Sequence, residues 1–302
     1  MLDTVFRSGA ITITAVEQDK DMEKRLRNGF KKLHMKKYFV AKTSITNNAF
    51  LRPVYTEIVA HLSLKPLLNA LQNAQSLGII GGEVIARWIE LLPVGSLSSK
   101  DIYSLMTTKS WSDAARFATT PNSLLSRIAY KNPDVNPHPL PFINLDRRTA
   151  GYVNNGGAVE KKELSLVNSR RLRAANVDVA VLSVNKYDYA EARYNPRNMD
   201  MLKLLDQMEQ IHRSQIVGEL LLRLLESHGN RVGTQEDQNL SDAMVYSIDL
   251  EDLQRLASAD DKQVWLINGN PAVAKLVHAV IKGEYVNCLV TTSQLAEELL
   301  RL

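Results

Sequence analysis

The C-terminal stretch Lys262–Leu302 constrains this chain more than any other, because it reads as strand, turn, helix, strand, helix. Val264, Trp265, Leu266 and Ile267 form a short apolar run. Asn268, Gly269, Asn270 and Pro271 follow as turn chemistry, with Pro271 suited to the first position of a helix. Ala272 to Ile281 is a mostly apolar helix that Lys282 and Gly283 should end. Val286–Val290 is a second apolar run rich in β-branched residues, and Thr291 or Thr292 then caps a last helix. Two short apolar strands joined through a helix predict a parallel sheet covered on both faces. Ligands of such sheets sit beyond the carboxyl ends of the strands, so the Asn268–Asn270 turn is a first candidate for a binding site.

The rest of the chain alternates in the same way. Tyr38–Val40, Val177–Val184 and Val245–Ile248 read as strands, as does Ile11–Val16. Helical spacing covers Asp19–Lys36, Leu51–Asn73 with Pro66 as a candidate break point, Val84–Leu92, Glu160–Ala175, Asn198–Arg213 and Leu250–Ala257. Ser112–Phe117 and Ser123–Tyr130 are shorter helices, the prolines from Pro133 to Pro141 predict a stiff loop, and Asn154–Gly157 predicts a turn. Asn230–Asp242 is polar and reads as a loop. The expectation is an α/β fold, a layered parallel sheet flanked by helices. Residues 1–16 would be a remnant or linker strand, and 17–302 one domain in which 93–157 forms an insertion or lid.

Composition narrows the function classes. With 45% hydrophobic and 23% charged residues the chain can bury a sizeable core, and no apolar run reaches the roughly 20 residues of a membrane helix. Cys288 is the single cysteine, so no internal disulfide forms, which fits a reducing cytoplasm. The formal charge is +4, and Lys24, Arg25, Arg27, Lys31, Lys32, Lys36 and Lys37 crowd one segment. That cluster is either an anionic contact or the solvated face of an amphipathic helix; the absence of an interleaved aromatic favours the second.

Leu77–Gly82 followed by an apolar helix is a strand, glycine turn and helix, the layout in which backbone N–H groups face an anion. A tight turn needs glycine for steric reasons alone, and Glu83 would repel phosphate. Glu219 is the most isolated carboxylate, inside an otherwise apolar run, with Arg223 as its partner if that segment is helical. His34, His61, His138, His212, His228 and His278 show no ligand spacing, and no phosphate loop, nucleophile elbow or dinucleotide fingerprint occurs. Neither a metal nor a cofactor is therefore expected.

Taken in order, several stretches resemble the effector-binding domain of SorC/DeoR-type sugar-responsive transcription regulators. They are Met22–Phe30, Leu77–Gly82, Val177–Leu182, Val217–Glu219, Ile248–Leu253 and above all Gly269–Leu300, clearest from Gly283 to Thr291. The resemblance implies a fold similar to glucosamine-phosphate deaminase and ribose-phosphate isomerase. It also implies a sugar-like effector, self-association as dimer or tetramer, no membrane, and DNA contact only through an N-terminal helix-turn-helix that this sequence lacks. Four positions depart from the pattern. Glu83 and Val84 stand where a hydroxyl residue usually binds phosphate, Asn270 replaces the second of two glycines, and Val273 replaces a lysine, with Lys275 two residues away. A neutral or amine-bearing effector is expected, bound by Gly81, Gly82, Glu83, Glu219, Asn268, Gly269, Asn270 and Lys275. The alternatives are a structural protein that kept the fold without the pocket, and an isomerase- or deaminase-like enzyme. The last rests on fold analogy, with no acid–base pair placed for proton transfer.

Overall fold

Strands of four or five residues, apolar on both faces, pair into a parallel sheet because only helices above and below can cover them. The computed structural model describes residues 16–43, 52–107, 118–140, 168–184, 206, 208, 210–221, 223–243 and 246–302. Its strands are β1 (Lys37–Ala41), β2 (Ser76–Ile79), β3 (Asp101–Ser104), β4 (Met106–Thr107), β5 (Asn136–His138), β6 (Val179–Leu182), β7 (Gly218–Leu220), β8 (Arg223–Leu225), β9 (Tyr246–Ser247), β10 (Gln263–Ile267) and β11 (Cys288–Thr292). The main sheet is seven-stranded in the order β1-β11-β10-β6-β2-β3-β5, and every neighbouring pair runs parallel. Two antiparallel pairs, β4 with β9 and β7 with β8, lie outside it.

The helices are α1 (Lys20–Gly29), α2 (Arg52–Leu71), α3 (Glu83–Leu91), α4 (Pro121–Lys131), α5 (Gln210–Gln215), α6 (Gln235–Ala243), α7 (Leu250–Ser258), α8 (Ala274–Lys282) and α9 (Ser293–Arg301). Residues alternate between two cores along each central strand. In β10, Val264 and Leu266 join one core while Trp265 and Ile267 join the other. The first core takes Leu26 of α1, Leu253 of α7, Val277 of α8 and Leu295 of α9. The second takes Val59 of α2, Trp88 of α3 and Leu124 of α4. Helix, sheet and helix therefore form three layers, as the covered parallel sheet requires.

Local chemistry sets the boundaries. Asp19 Oδ1 accepts from Met22 N at 2.9 Å and starts α1. The helix stops at Gly29 rather than continuing to Lys36, because Lys36 N and Lys37 N already donate to Asn287 O to enter β1. Thr292, not Thr291, caps α9, its Oγ1 accepting from Leu295 N. β11 begins two residues later than the apolar run suggests. The Asn287 side chain is spent instead on Val264 N, Ala257 O and Lys262 O, tying the end of α7 to the sheet.

Three expectations give way to tertiary context. α2 runs through Pro66 without a break, and Leu67 and Leu71 beyond it are buried in the second core. The proline-rich segment contributes β5 at the sheet edge, where Pro137 pairs with Ile102 and a missing N–H costs no central ladder bond. The polar stretch read as a loop forms α6. Its start is a reciprocal pair, Thr234 N donating to Asp237 Oδ2 and Asp237 N donating to Thr234 Oγ1. Within the region 93–157, residues 101–104, 121–131 and 136–138 supply β3, α4 and β5 to the main body of the fold. The expectations for residues 11–15, 112–117, 154–157, 160–167 and 198–205 lie outside the described residues.

Candidate functional site

β2 and β6 are neighbours, yet the chain leaves β2 toward β3 and leaves β6 toward β10 on the opposite side. Connections that part in this way open a crevice at the carboxyl edge of a parallel sheet. The sequence places a glycine turn on one wall of that crevice and an asparagine turn on the other.

The glycine turn continues from β2. Ile80 N donates to Val181 O, so the two strands stay paired up to the turn. Gly82 has φ +132°, a conformation that L side chains rarely adopt, and a Cβ there would also lie 2.8 Å from Ser183 Oγ. A Cβ on Gly81 would meet the Thr119 carbonyl oxygen at 2.6 Å, since the chain entering α4 crosses at this point. Gly82 N–H donates to that same Thr119 oxygen at 2.9 Å. One backbone donor expected to serve a ligand is thus already committed to the fold. Glu83 is exposed at the first position of α3, where the positive end of the helix dipole stabilises a carboxylate. Glycine offers no side-chain cap, and the Val84 and Ile85 amides find no acceptor among the described residues.

The sequence reading missed Ser183. It follows β6 directly, is only 9% exposed, and its hydroxyl makes no hydrogen bond with a described residue. The signal was available: it is the first polar residue after a buried strand, at the edge where ligands bind.

The asparagine turn closes β10. Asn268 is buried, with Nδ2 donating to Val184 O at 2.7 Å and Oδ1 accepting from Asn270 N at 3.0 Å. Both ends of its amide therefore hold the turn against the end of β6. Gly269 is a packing glycine. A Cβ there would lie 2.7 Å from Val59 Cγ1, and its carbonyl accepts from Thr292 Oγ1 at 2.8 Å. Asn270 Oδ1 accepts from Ala272 N at 3.0 Å and caps the 3-10 turn Pro271–Val273 that leads into α8. Its Nδ2 has no partner among the described residues. Lys275 is exposed on the first turn of α8 and makes no ion pair with a described residue.

Glu219 is not on a helix. It stands in β7 opposite Leu224, while Arg223 stands opposite Leu220 on the other face of the hairpin, so the i,i+4 pairing does not form. A Cβ on Gly218 would meet Leu276 Cδ2 at 2.5 Å, which seats the hairpin on α8 just beyond the asparagine turn. The structure thus joins Gly81–Gly82 to Asn268–Asn270 through Ser183 and Val184, and attaches Glu219 and Lys275 to that group through α8.

Arg223 has a different role from the one its spacing suggests. It is 3% exposed. Its Nε donates to Asp242 at 2.9 Å, Nη2 to Asp249 at 2.9 Å, and Nη1 to Ser247 Oγ at 2.5 Å and Ile248 O at 3.2 Å. Burial lowers the pKa of its guanidinium, and the two carboxylates oppose that shift. Arg231 on Asp242 and Arg171 on Asp249 extend the chain of charges. The network pins the hairpin carrying Glu219 to α6, β9 and the start of α7.

Comparison with known proteins follows the same lines. Residues 14–301 match the model of a family described as putative sugar-binding domain. Among solved structures, a DeoR family transcriptional regulator from Listeria monocytogenes superposes with a TM-score of 0.67 at 17% identity, over 92% of this chain and 98% of that one. The full-length sorbitol operon regulator SorC from Klebsiella pneumoniae gives 0.67 at 17% identity, over 99% of this chain and 87% of that one. A probable sor operon regulator from Shigella flexneri gives 0.64 at 18%, over 92% and 98%. At these identities the likeness shows the fold. A search of curated proteins finds no match.

Proposed function

This chain belongs to the putative sugar-binding domain family found in SorC/DeoR-type transcription regulators, and we propose that it senses a neutral, hydroxyl-rich sugar or sugar derivative in the crevice between β2, β6 and β10. One observation carries the reading. The Ser183 hydroxyl, without a hydrogen bond to any described residue, lies against Gly82 at the strand-order reversal, with the start of α3, which has no side-chain cap at Gly82, on one side and the Asn268–Asn270 turn on the other. Ser183 and Asn270 Nδ2 supply a hydroxyl and an amide for sugar hydroxyls, and Glu219 and Lys275 border the same region. The negative Glu83 at the start of α3, and the Gly82 amide already held by Thr119, favour an uncharged ligand over a phosphorylated one.

Isothermal titration calorimetry against matched sugars and sugar phosphates tests this. The expected result is saturable heat with a neutral sugar, weaker binding of its phosphate, and roughly tenfold loss in Ser183→Ala, the cost of about one hydrogen bond. Silence across the panel with folded protein would leave the scaffold reading in its place. We also assign self-association as dimer or tetramer to this domain, on the family's pattern; light scattering at micromolar concentration that shows only monomer would remove it.

A further inference from the structure

The resemblance assigns DNA contact to a helix-turn-helix alone, but the charge on α1 and the turn after it points to a second contact. In Lys20–Lys32, six basic side chains against two acidic ones leave +4, the formal charge of the entire chain. The remaining residues are neutral in sum, so the positive potential of the molecule concentrates here.

Met22, Leu26 and Phe30 are buried in the first core and fix which way α1 faces. That orientation leaves Lys24, Arg25, Arg27, Lys31 and Lys32 exposed. None of the five forms an ion pair or hydrogen bond with a described residue. The nearby acids do little to neutralise them. Glu23 is turned inward to Lys20 and Val40 N, and Glu298 on the packed helix α9 is held by Arg301. Asp21, at the start of α1, and Glu297, on α9, are the exposed acids beside the patch. Carboxylates at i,i+3 or i,i+4 would offset such cations, but among the described residues the one such pair on α1 is Lys20 with Glu23, which leaves these five without one.

We propose that this face binds the phosphate backbone of duplex DNA without reading its sequence. The exposed residues exclude the competing polyanions. No apolar side chain stands among them to enter a membrane interface. No aromatic stands among them to stack unpaired bases, which removes single strands as the preferred form. What remains is a set of point charges over a helix and its following turn, the means by which proteins hold DNA in position through its phosphates.

The test uses the chain as it stands, with fluorescence anisotropy of a labelled 20-base-pair duplex of scrambled sequence. Binding in low salt should weaken along a log–log slope of about −4, the value for four to five neutralised phosphates. Lys24→Gln, Arg25→Gln, Lys31→Gln and Lys32→Gln together should lower affinity at least tenfold and flatten the slope, with unchanged circular dichroism and melting. Failure of the native chain to bind at 50 mM NaCl, or unchanged binding by the variant, overturns the proposal. Tighter capture of the corresponding single strand, or of phosphatidylserine vesicles, overturns it in favour of that partner.

Discussion

Asp178 shows how much of this fold rests on single polar side chains at the amino edge of the sheet. Its Oδ2 accepts from Gln75 N at 2.8 Å and from Ser76 N and Oγ at 3.0 Å, and its Oδ1 accepts from Lys262 Nζ at 2.5 Å. The starts of β2, β6 and β10 are thereby tied together. Burial pushes this carboxyl up, but Lys262 and the Gln75 and Ser76 donors outweigh it and hold the group below the usual carboxylate range. A depressed folded pKa contributes stability that is complete above the unfolded value of about 3.9 and is lost as pH falls through the folded one. Asp178→Asn should therefore cost about 1–3 kcal/mol at pH 7. Urea unfolding at pH 7 and pH 3 should show the gap from wild type closing in acid. Cys288 is the opposite case, a buried thiol pushed up to about 12 by desolvation. Ellman's reagent at pH 8 should leave it untouched in the native protein and react once guanidinium unfolds the chain.

At the scale of elements, two junctions carry the site. The first is the β2–α3 turn. Gly82→Ala combines a left-handed φ with a Cβ pressed on Ser183 Oγ, and should cost about 1–3 kcal/mol and the sugar response with it. Adding Ser183→Gly should return part of the stability, because it removes the clash and leaves the strain; differential melting of the single and double variants measures the split. The second junction is the Arg223 network. Arg223→Ala leaves Asp242 to Arg231 and Asp249 to Arg171 but removes the buried guanidinium and its bonds to Ser247 Oγ and Ile248 O, and should destabilise by about 1–3 kcal/mol. Hydrogen exchange should accelerate first in β8, β9 and the start of α7, the pieces that the guanidinium holds. These junctions were unequally legible. The glycine pair announced a tight turn, whereas Arg223 looked like a helical partner for Glu219. Its true partners lie 19 and 26 residues further along the chain.

Across the whole molecule, parallel pairing of chain-distant strands means that the sheet cannot form piecemeal. β1 pairs with β11 over most of the sequence and β2 with β6 over about a third of it, so folding should be slow and unfolding cooperative, with ligand raising the melting temperature in proportion to the logarithm of its excess over Kd. Much of this layout was readable in one dimension. Val264–Ile267, Pro271 and Gly283 dictate strand, helix start and helix end through backbone geometry and burial, which are local, and the run of such units implies parallel layers. The site was only half readable. Gly81, Gly82, Asn268 and Asn270 could be named from turn chemistry, but their donors and acceptors could not be counted, because Thr119, Val184 and Thr292 consume several of them. Strand order put Ser183 beside Gly82, and the sheet edge made a strand of Asn136–His138. Neither outcome is written in a local pattern, since each depends on which distant segment arrives alongside and on what water it displaces.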